Sequence, residues 1–179
     1  MDALYEMFEK RIKPGSTILD IGCGSGRDSK HFSEKGYEVY AHDGSVAMVE
    51  QTKVFVGDRV ALARFDEFDP RVQFGKTIVF AGLWACASLL HVAEDDMVDV
   101  IHRYLNLLAL DGVFFMSFKR REVNHEKDGR VFTNFTPDKL DRLLSDIGNV
   151  VVEEYIETSD ARVGREDEGW ISVLVRRKQ

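Results

Sequence analysis

Cysteine is nearly absent from this chain, and the two that occur, Cys23 and Cys86, stand far apart with no CxxC pair. That removes zinc-ribbon and dithiol redox chemistry and leaves both as structural thiols in a reducing, cytoplasmic setting. A surplus of positive charge is also missing: 24 Lys and Arg face 31 Asp and Glu, for a formal net charge of −7. Such a balance argues against a general binder of nucleic acid or of membrane surfaces. No apolar run is long enough for a membrane span; the best, Thr77 to Val92, is interrupted by Gly82, Ser88 and His91 and reads as a buried strand running into a loop or helix. The amino terminus, MDALYEMFEKR, carries acids where a signal peptide has a basic start and an apolar stretch. Repeats, low-complexity tracts and linkers are missing too. With 44% hydrophobic and 31% charged residues, the chain reads as one globular domain over residues 1–179.

What is present is an alternation of strands and helices. Thr17 to Ile21 reads as a first strand, Arg27 to Lys35 as a helix stopped by Gly36, Glu38 to His42 as a second strand, and Val46 to Lys53 as a second helix. Arg59 to Phe65 and Thr77 to Ala85 read as the third and fourth strands, with little more than a loop between them. Asp95 to Leu110 has helical spacing at Met97, Ile101, Leu105 and Leu108 and is closed by Asp111-Gly112. Val113 to Phe118 is a fifth strand. Thr136-Pro137 opens another helix, and Val150 to Ile156 with Trp170 to Arg176 forms a closing hairpin. The series implies an α/β fold with a mostly parallel seven-stranded sheet, helices on both faces, and one antiparallel strand near an edge. Ligands in such sheets sit beyond the carboxyl ends of the strands.

At the end of the first strand, "ILDIGCGSG" sets Gly22, Gly24 and Gly26 at every second position, clearing side chains from a turn that something must approach closely. A nucleoside triphosphate loop needs Lys and Ser or Thr after its last glycine; here Arg27 and Asp28 follow. A dinucleotide fingerprint wants its third glycine at position 27, and Asp20 is a poor neighbour for a pyrophosphate. The same acid suits S-adenosylmethionine, which carries an ammonium, a sulfonium and no phosphate. Asp43, ending the second strand, offers two acceptor oxygens to a ribose diol, and Asp66, ending the third, offers an acceptor to the adenine amino group.

The segments "ILDIGCGSG", "VYAHDGS", "FDEF" and "WACASLLHV" resemble the successive motifs of class I S-adenosylmethionine-dependent methyltransferases. "GCGSGRDS", "ACASLLHV", "SFK", "DGRVFTNFT" and "ARVGRE…GW" further resemble the tellurite-resistance-type small-molecule subgroup, over nearly the whole chain. The resemblance implies a Rossmann-like fold and cofactor contacts by Asp20, Gly22, Gly24, Gly26, Asp43 and Asp66, with the backbone at Ala85 near the methionine moiety. Members of the subgroup carry an N-terminal extension that helps cover the cofactor; this chain reads as beginning almost at the sheet, which implies a more open site or a non-catalytic cofactor-binding module.

For the reaction, His91 after the fourth strand is the best-placed general base. Lys119, Arg130, Arg162 and Arg165 come from segments expected at the same end of the sheet, and their convergence would favour an anionic acceptor. Nucleic-acid amino methylation needs an Asn/Asp-Pro-Pro-aromatic turn where this chain has "ACASLLHV", and neither cysteine has the neighbouring proline of a base-methylating nucleophile. A small molecule is left as the partner. His42 and His102 read as packing residues, with no ligand set for a metal.

Overall fold

Five parallel strands lead the sheet: β1 (Thr17–Ile21), β2 (Glu38–Asp43), β3 (Val60–Leu62), β4 (Phe80–Ala85) and β5 (Leu108–Arg120). A short hairpin follows, β6 (His125–Lys127) with β7 (Arg130–Phe132), and then β8 (Val150–Ser159) and β9 (Gly169–Arg177) complete the sheet. The helices are α1 (Asp2–Glu9), α2 (Arg27–Glu34), α3 (Val46–Val56), α4 (Pro70–Gln73), α5 (Met97–Leu105) and α6 (Pro137–Ile147). The computed structural model describes residues 1–127, 129–159 and 169–178.

The sheet order is β3-β2-β1-β4-β5-β9-β8. β1 pairs in parallel with β2 on one side and β4 on the other, so the strand order reverses there and opens a crevice at their carboxyl ends. β9 runs antiparallel to both β5 and β8, which makes β8 parallel to β5. The α/β architecture expected from sequence is the one observed, with β9 as the antiparallel strand next to the edge.

Alternating side chains divide the core. Leu19, Leu83, Phe114 and Met116 face α5 and α6, whereas Ile18, Trp84, Val113 and Phe115 face α1 and α2. On the second side Trp84 stacks on Phe115, with centroids 4.0 Å apart. Gly82 is required there by space: a Cβ on it would stand 2.5 Å from the ring of Phe8, so its absence lets α1 lie against β4.

Three boundaries differ from expectation. The helix read as Asp95 to Leu110 ends at Leu105, because Leu108 pairs with Phe80 and begins β5. Arg177 secures that ending by donating to the carbonyls of Leu105 and Leu108, groups a longer helix would have satisfied itself. β3 covers only Val60–Leu62 and β4 starts at Phe80, with α4 between them, capped by the Asp69 carboxylate accepting from the Arg71 N–H at 2.9 Å. Finally, a helix that the sequence reading did not place, α1, precedes β1, with Tyr5, Met7 and Phe8 buried.

Candidate functional site

The turn after β1 is held open by its neighbours. Gly22 has φ +65°, and a Cβ on it would meet Ser88 Cβ at 2.6 Å and the Phe65 ring at 3.1 Å. Gly24 has φ +55° and nothing within 4 Å of a Cβ, so the turn presents bare backbone to open space. Asp43 braces it: one carboxylate oxygen accepts from the Gly24 N–H and the other from the Ser45 N–H, both at 2.9 Å. Thr52 of α3 donates to the Gly24 carbonyl at 2.9 Å. Gly26 is the N-cap of α2. Asp20, Gly22, Gly24, Gly26 and Asp43 are thereby gathered at one strand end. Phe65 brings the following loop onto Gly22, leaving Asp66 exposed and paired with Arg64 at 3.3 Å.

Behind the turn lie two buried acids in unlike surroundings. Asp20 accepts from the Ser29 hydroxyl at 2.6 Å; burial, and then the charge of Asp28, push its pKa up to about 8, against the pull of Ser29. Asp28 accepts from Tyr5 at 2.5 Å, Trp84 Nε1 at 2.9 Å, and Arg27 Nε and Nη2 at 2.7 and 3.0 Å. Burial alone would raise Asp28, but these donors, Arg27 foremost, hold it below the usual carboxylate range. Tyr5 comes from α1 and also stacks on His31 at 3.7 Å, so α1 is tied to the site through Asp28. Sequence reasoning missed this role of Tyr5, Arg27 and Asp28. Leu4, Tyr5 and Phe8 at helical spacing were the available signal for α1.

Beyond β4 the chain turns through Ala87, a non-glycine residue at φ +54°, whose N–H donates to Ser117 Oγ of β5 at 2.8 Å. Ala85 itself is buried. Ser88, against Gly22, has a buried hydroxyl with no partner among the described residues, a group that costs free energy until something satisfies it.

His91 ends the short 3-10 turn Leu89–His91. Its Nδ1 donates to the Val131 carbonyl at 3.0 Å and Phe132 stands edge-on at 4.8 Å. A carbonyl can only accept, so the proton is on Nδ1 and Nε2 is the basic nitrogen. The segment expected to be a charged loop after β5 is the β6–β7 hairpin instead, fixed to this turn by Thr133, whose N–H donates to Leu90 at 2.8 Å and hydroxyl to Val92 at 2.6 Å. Lys119, near the carboxyl end of β5, is buried with its ammonium 5.9 Å from the Trp170 ring. Arg130 is exposed at the start of β7, beside the hairpin tip. Arg162 and Arg165 lie outside the described residues. His42, by contrast, is fully buried, donating from Nδ1 to the Ala63 carbonyl at 3.1 Å and accepting at Nε2 from Tyr104 at 2.8 Å; burial lowers its pKa to about 4, against the opposing pull of the Ala63 bond and the Asp43 charge.

The donor set suits S-adenosylmethionine. Bare backbone at Gly24, the braced Asp43 carboxylate, the buried Asp20 and the unpartnered Ser88 hydroxyl match a ligand with a diol and an ammonium, and among the described residues no cluster of cations at the glycine turn calls for phosphates. Comparison with known proteins agrees. Residues 1–154 match the family described as a methyltransferase domain. A ubiquinone biosynthesis O-methyltransferase of Rhodopseudomonas palustris is 28% identical over 176 residues, covering 86% of this chain and 68% of that protein. A carboxy-S-adenosyl-L-methionine synthase of Vibrio cholerae is 25% identical over 128 residues, covering 66% of this chain and 50% of that protein. The crystal structure of Burkholderia thailandensis 1,6-didemethyltoxoflavin-N1-methyltransferase, with its acceptor and S-adenosylhomocysteine bound, has a TM-score of 0.80 at 20% identity, covering 97% of this chain and 76% of that one; at that identity the likeness speaks for the fold. The chain therefore belongs to the methyltransferase-domain family, as an S-adenosylmethionine-dependent methyltransferase.

Proposed function

We propose that the protein methylates a small-molecule acceptor that reacts as an anion, with His91 as the base that creates it. The observation that carries this reading is the tautomer of His91: the bond from Nδ1 to Val131 reserves Nε2 for a proton from the acceptor. The cofactor supplies an activated methyl group on a sulfonium, so the chain needs no nucleophile of its own. Its work is to hold donor and acceptor in line and keep water out, the first of which is worth ~7–11 kcal/mol in favourable cases. Asp43 takes the ribose hydroxyls with its remaining lone pairs, Asp20 the ammonium, Asp66 the adenine amino group, and the backbone near Ala85 flanks the methionine moiety. Lys119 supplies positive charge to the acceptor anion, and Arg130, Arg162 and Arg165 are its candidate companions. The hairpin β6–β7, packed on the His91 turn, covers the acceptor. The motif resemblance to tellurite-resistance enzymes adds metalloid oxyanions to carboxylic acids and phenols as acceptors to try. In this reading residues 1–179 act as a single cytoplasmic domain.

The test is a screen of acids, phenols, metalloid oxyanions and neutral amines for release of S-adenosylhomocysteine. Turnover is expected with the acidic groups. With a protonated acceptor, His91→Gln lowers it by about 10²–10⁴-fold without changing the calorimetric affinity for S-adenosylhomocysteine. Turnover confined to neutral or cationic acceptors defeats the anionic reading. Tight cofactor binding with no turnover on any acceptor makes the protein a binding module.

A further inference from the structure

The segments proposed to hold the cofactor bring four acidic side chains, Asp20, Asp28, Asp43 and Asp66, yet the methionine part of the cofactor carries a carboxylate of its own. We infer that Arg27 recognises that carboxylate, an inference that rests on S-adenosylmethionine being the cofactor. Arg27 is the first residue of α2, directly after Gly26, and among residues 20–29, 43–45 and 85–88 it is the only Lys or Arg. Its guanidinium lies across the site: Nε and Nη2 grip Asp28 at 2.7 and 3.0 Å, and Nη2 stands 3.5 Å from Cys86 Sγ just beyond β4. The group thus bridges the two segments between which the methionine moiety must pass, the glycine turn and the end of β4.

Asp28 fixes the plane of the guanidinium and uses one side of it. Nη1 keeps both its N–H groups without a bond among the described residues, and 60% of the Arg27 side chain is exposed. Asp28 does not depend on Arg27 alone, because Tyr5 and Trp84 also donate to it. The fixed plane with a spare N–H edge is the geometry that a guanidinium uses for carboxylates, and a lysine ammonium has no equivalent of it. Because Tyr5 helps to place Asp28, α1 contributes to this recognition without itself reaching the ligand.

The test is calorimetric and needs no acceptor. Wild-type protein is titrated with S-adenosylhomocysteine and with its decarboxylated analogue, and Arg27→Gln with both. Wild type is expected to bind the intact ligand about tenfold or more tightly, the scale of a charged hydrogen-bonded contact. Arg27→Gln is expected to erase that preference by weakening the intact ligand and leaving the analogue as it was, with Arg27→Lys in between. Equal binding of the two ligands by wild type overturns the assignment whether or not the variants fold. So does an Arg27→Gln protein that keeps the preference, or that loses affinity for both ligands alike. If wild type binds neither ligand, the cofactor assignment falls with it; if it binds both, only the role of Arg27 is at stake.

Discussion

Adding one methyl group at Gly22 and at Gly24 should have opposite consequences, although the two glycines are two residues apart and share a left-handed backbone. At both positions an alanine must hold a positive φ, which costs roughly 1–2 kcal/mol. At Gly22 the new Cβ would also stand 2.6 Å from Ser88 Cβ and 3.1 Å from the Phe65 ring. Forcing a methyl into packed surroundings adds about 1–3 kcal/mol. Gly22→Ala should therefore lose about 2–5 kcal/mol, and at roughly 2–4 °C of Tm per kcal/mol for a chain of this size, melt visibly earlier. At Gly24 nothing among the described residues beyond its chain neighbours lies within 4 Å of the added atom, so only the backbone cost remains and the fold should hold. The methyl instead enters the open space proposed for the cofactor. Thermal melts and calorimetry with S-adenosylhomocysteine separate the two effects: Gly22→Ala is mainly a stability variant, Gly24→Ala mainly a binding variant. A Gly24→Ala protein that binds S-adenosylhomocysteine like wild type would show that the cofactor does not lie against this turn. An unchanged Tm for Gly22→Ala would refute the contact with Ser88 and Phe65.

Asp20 gives a pH signature. Its pKa is about 8 in the folded chain against 3.8 ordinarily, so between those values the folded chain holds a proton that the unfolded chain has released. Stability should fall as pH rises through that interval and level off above it. Asp20→Asn should flatten the fall in urea titrations across the range, and an equally steep fall in the variant would discard the assignment. Tyr5→Phe removes one of the donors to buried Asp28 and should cost about 1–3 kcal/mol in urea unfolding; no loss would mean that the bond to Asp28 does not anchor α1.

The sequence carried most of the frame because that part depends on local pattern. Alternating apolar strands, the glycine turn and the proline-opened α6 each announce themselves within a few residues. The errors arose where distant residues decide the outcome. Leu108 fits the helical spacing of Met97, Ile101 and Leu105, but pairing with Phe80 and capture of the Leu105 and Leu108 carbonyls by Arg177, from the far end of the chain, turn it into strand. The β6–β7 hairpin was hidden in the charged run KRREVNHEKDGR, whose side chains are largely exposed, so no apolar alternation marked it. Asp20 and Asp43 were legible because motif position alone sets them at strand ends. Asp28 was not, since its importance comes from Tyr5 and Trp84, which lie 23 and 56 positions away.

The contrast between Asp20 and Asp28 also changes how the site must be understood electrically. Both carboxyls are buried, and two neighbouring charges in low dielectric oppose each other. The donors decide which acid keeps its charge: Asp28 has Arg27, Tyr5 and Trp84, whereas Asp20 has Ser29. Asp28 is accordingly the ionised member and Asp20 the protonated one near neutral pH. The standing negative charge expected of Asp20 from sequence is therefore not its state near neutral pH. If Asp20 is the partner of the ligand's ammonium, as proposed, binding should release a proton from it. The cost of ionising Asp20 falls as pH approaches its pKa, so under the proposed contact a cationic ligand would be selected by an acid that is neutral in its absence.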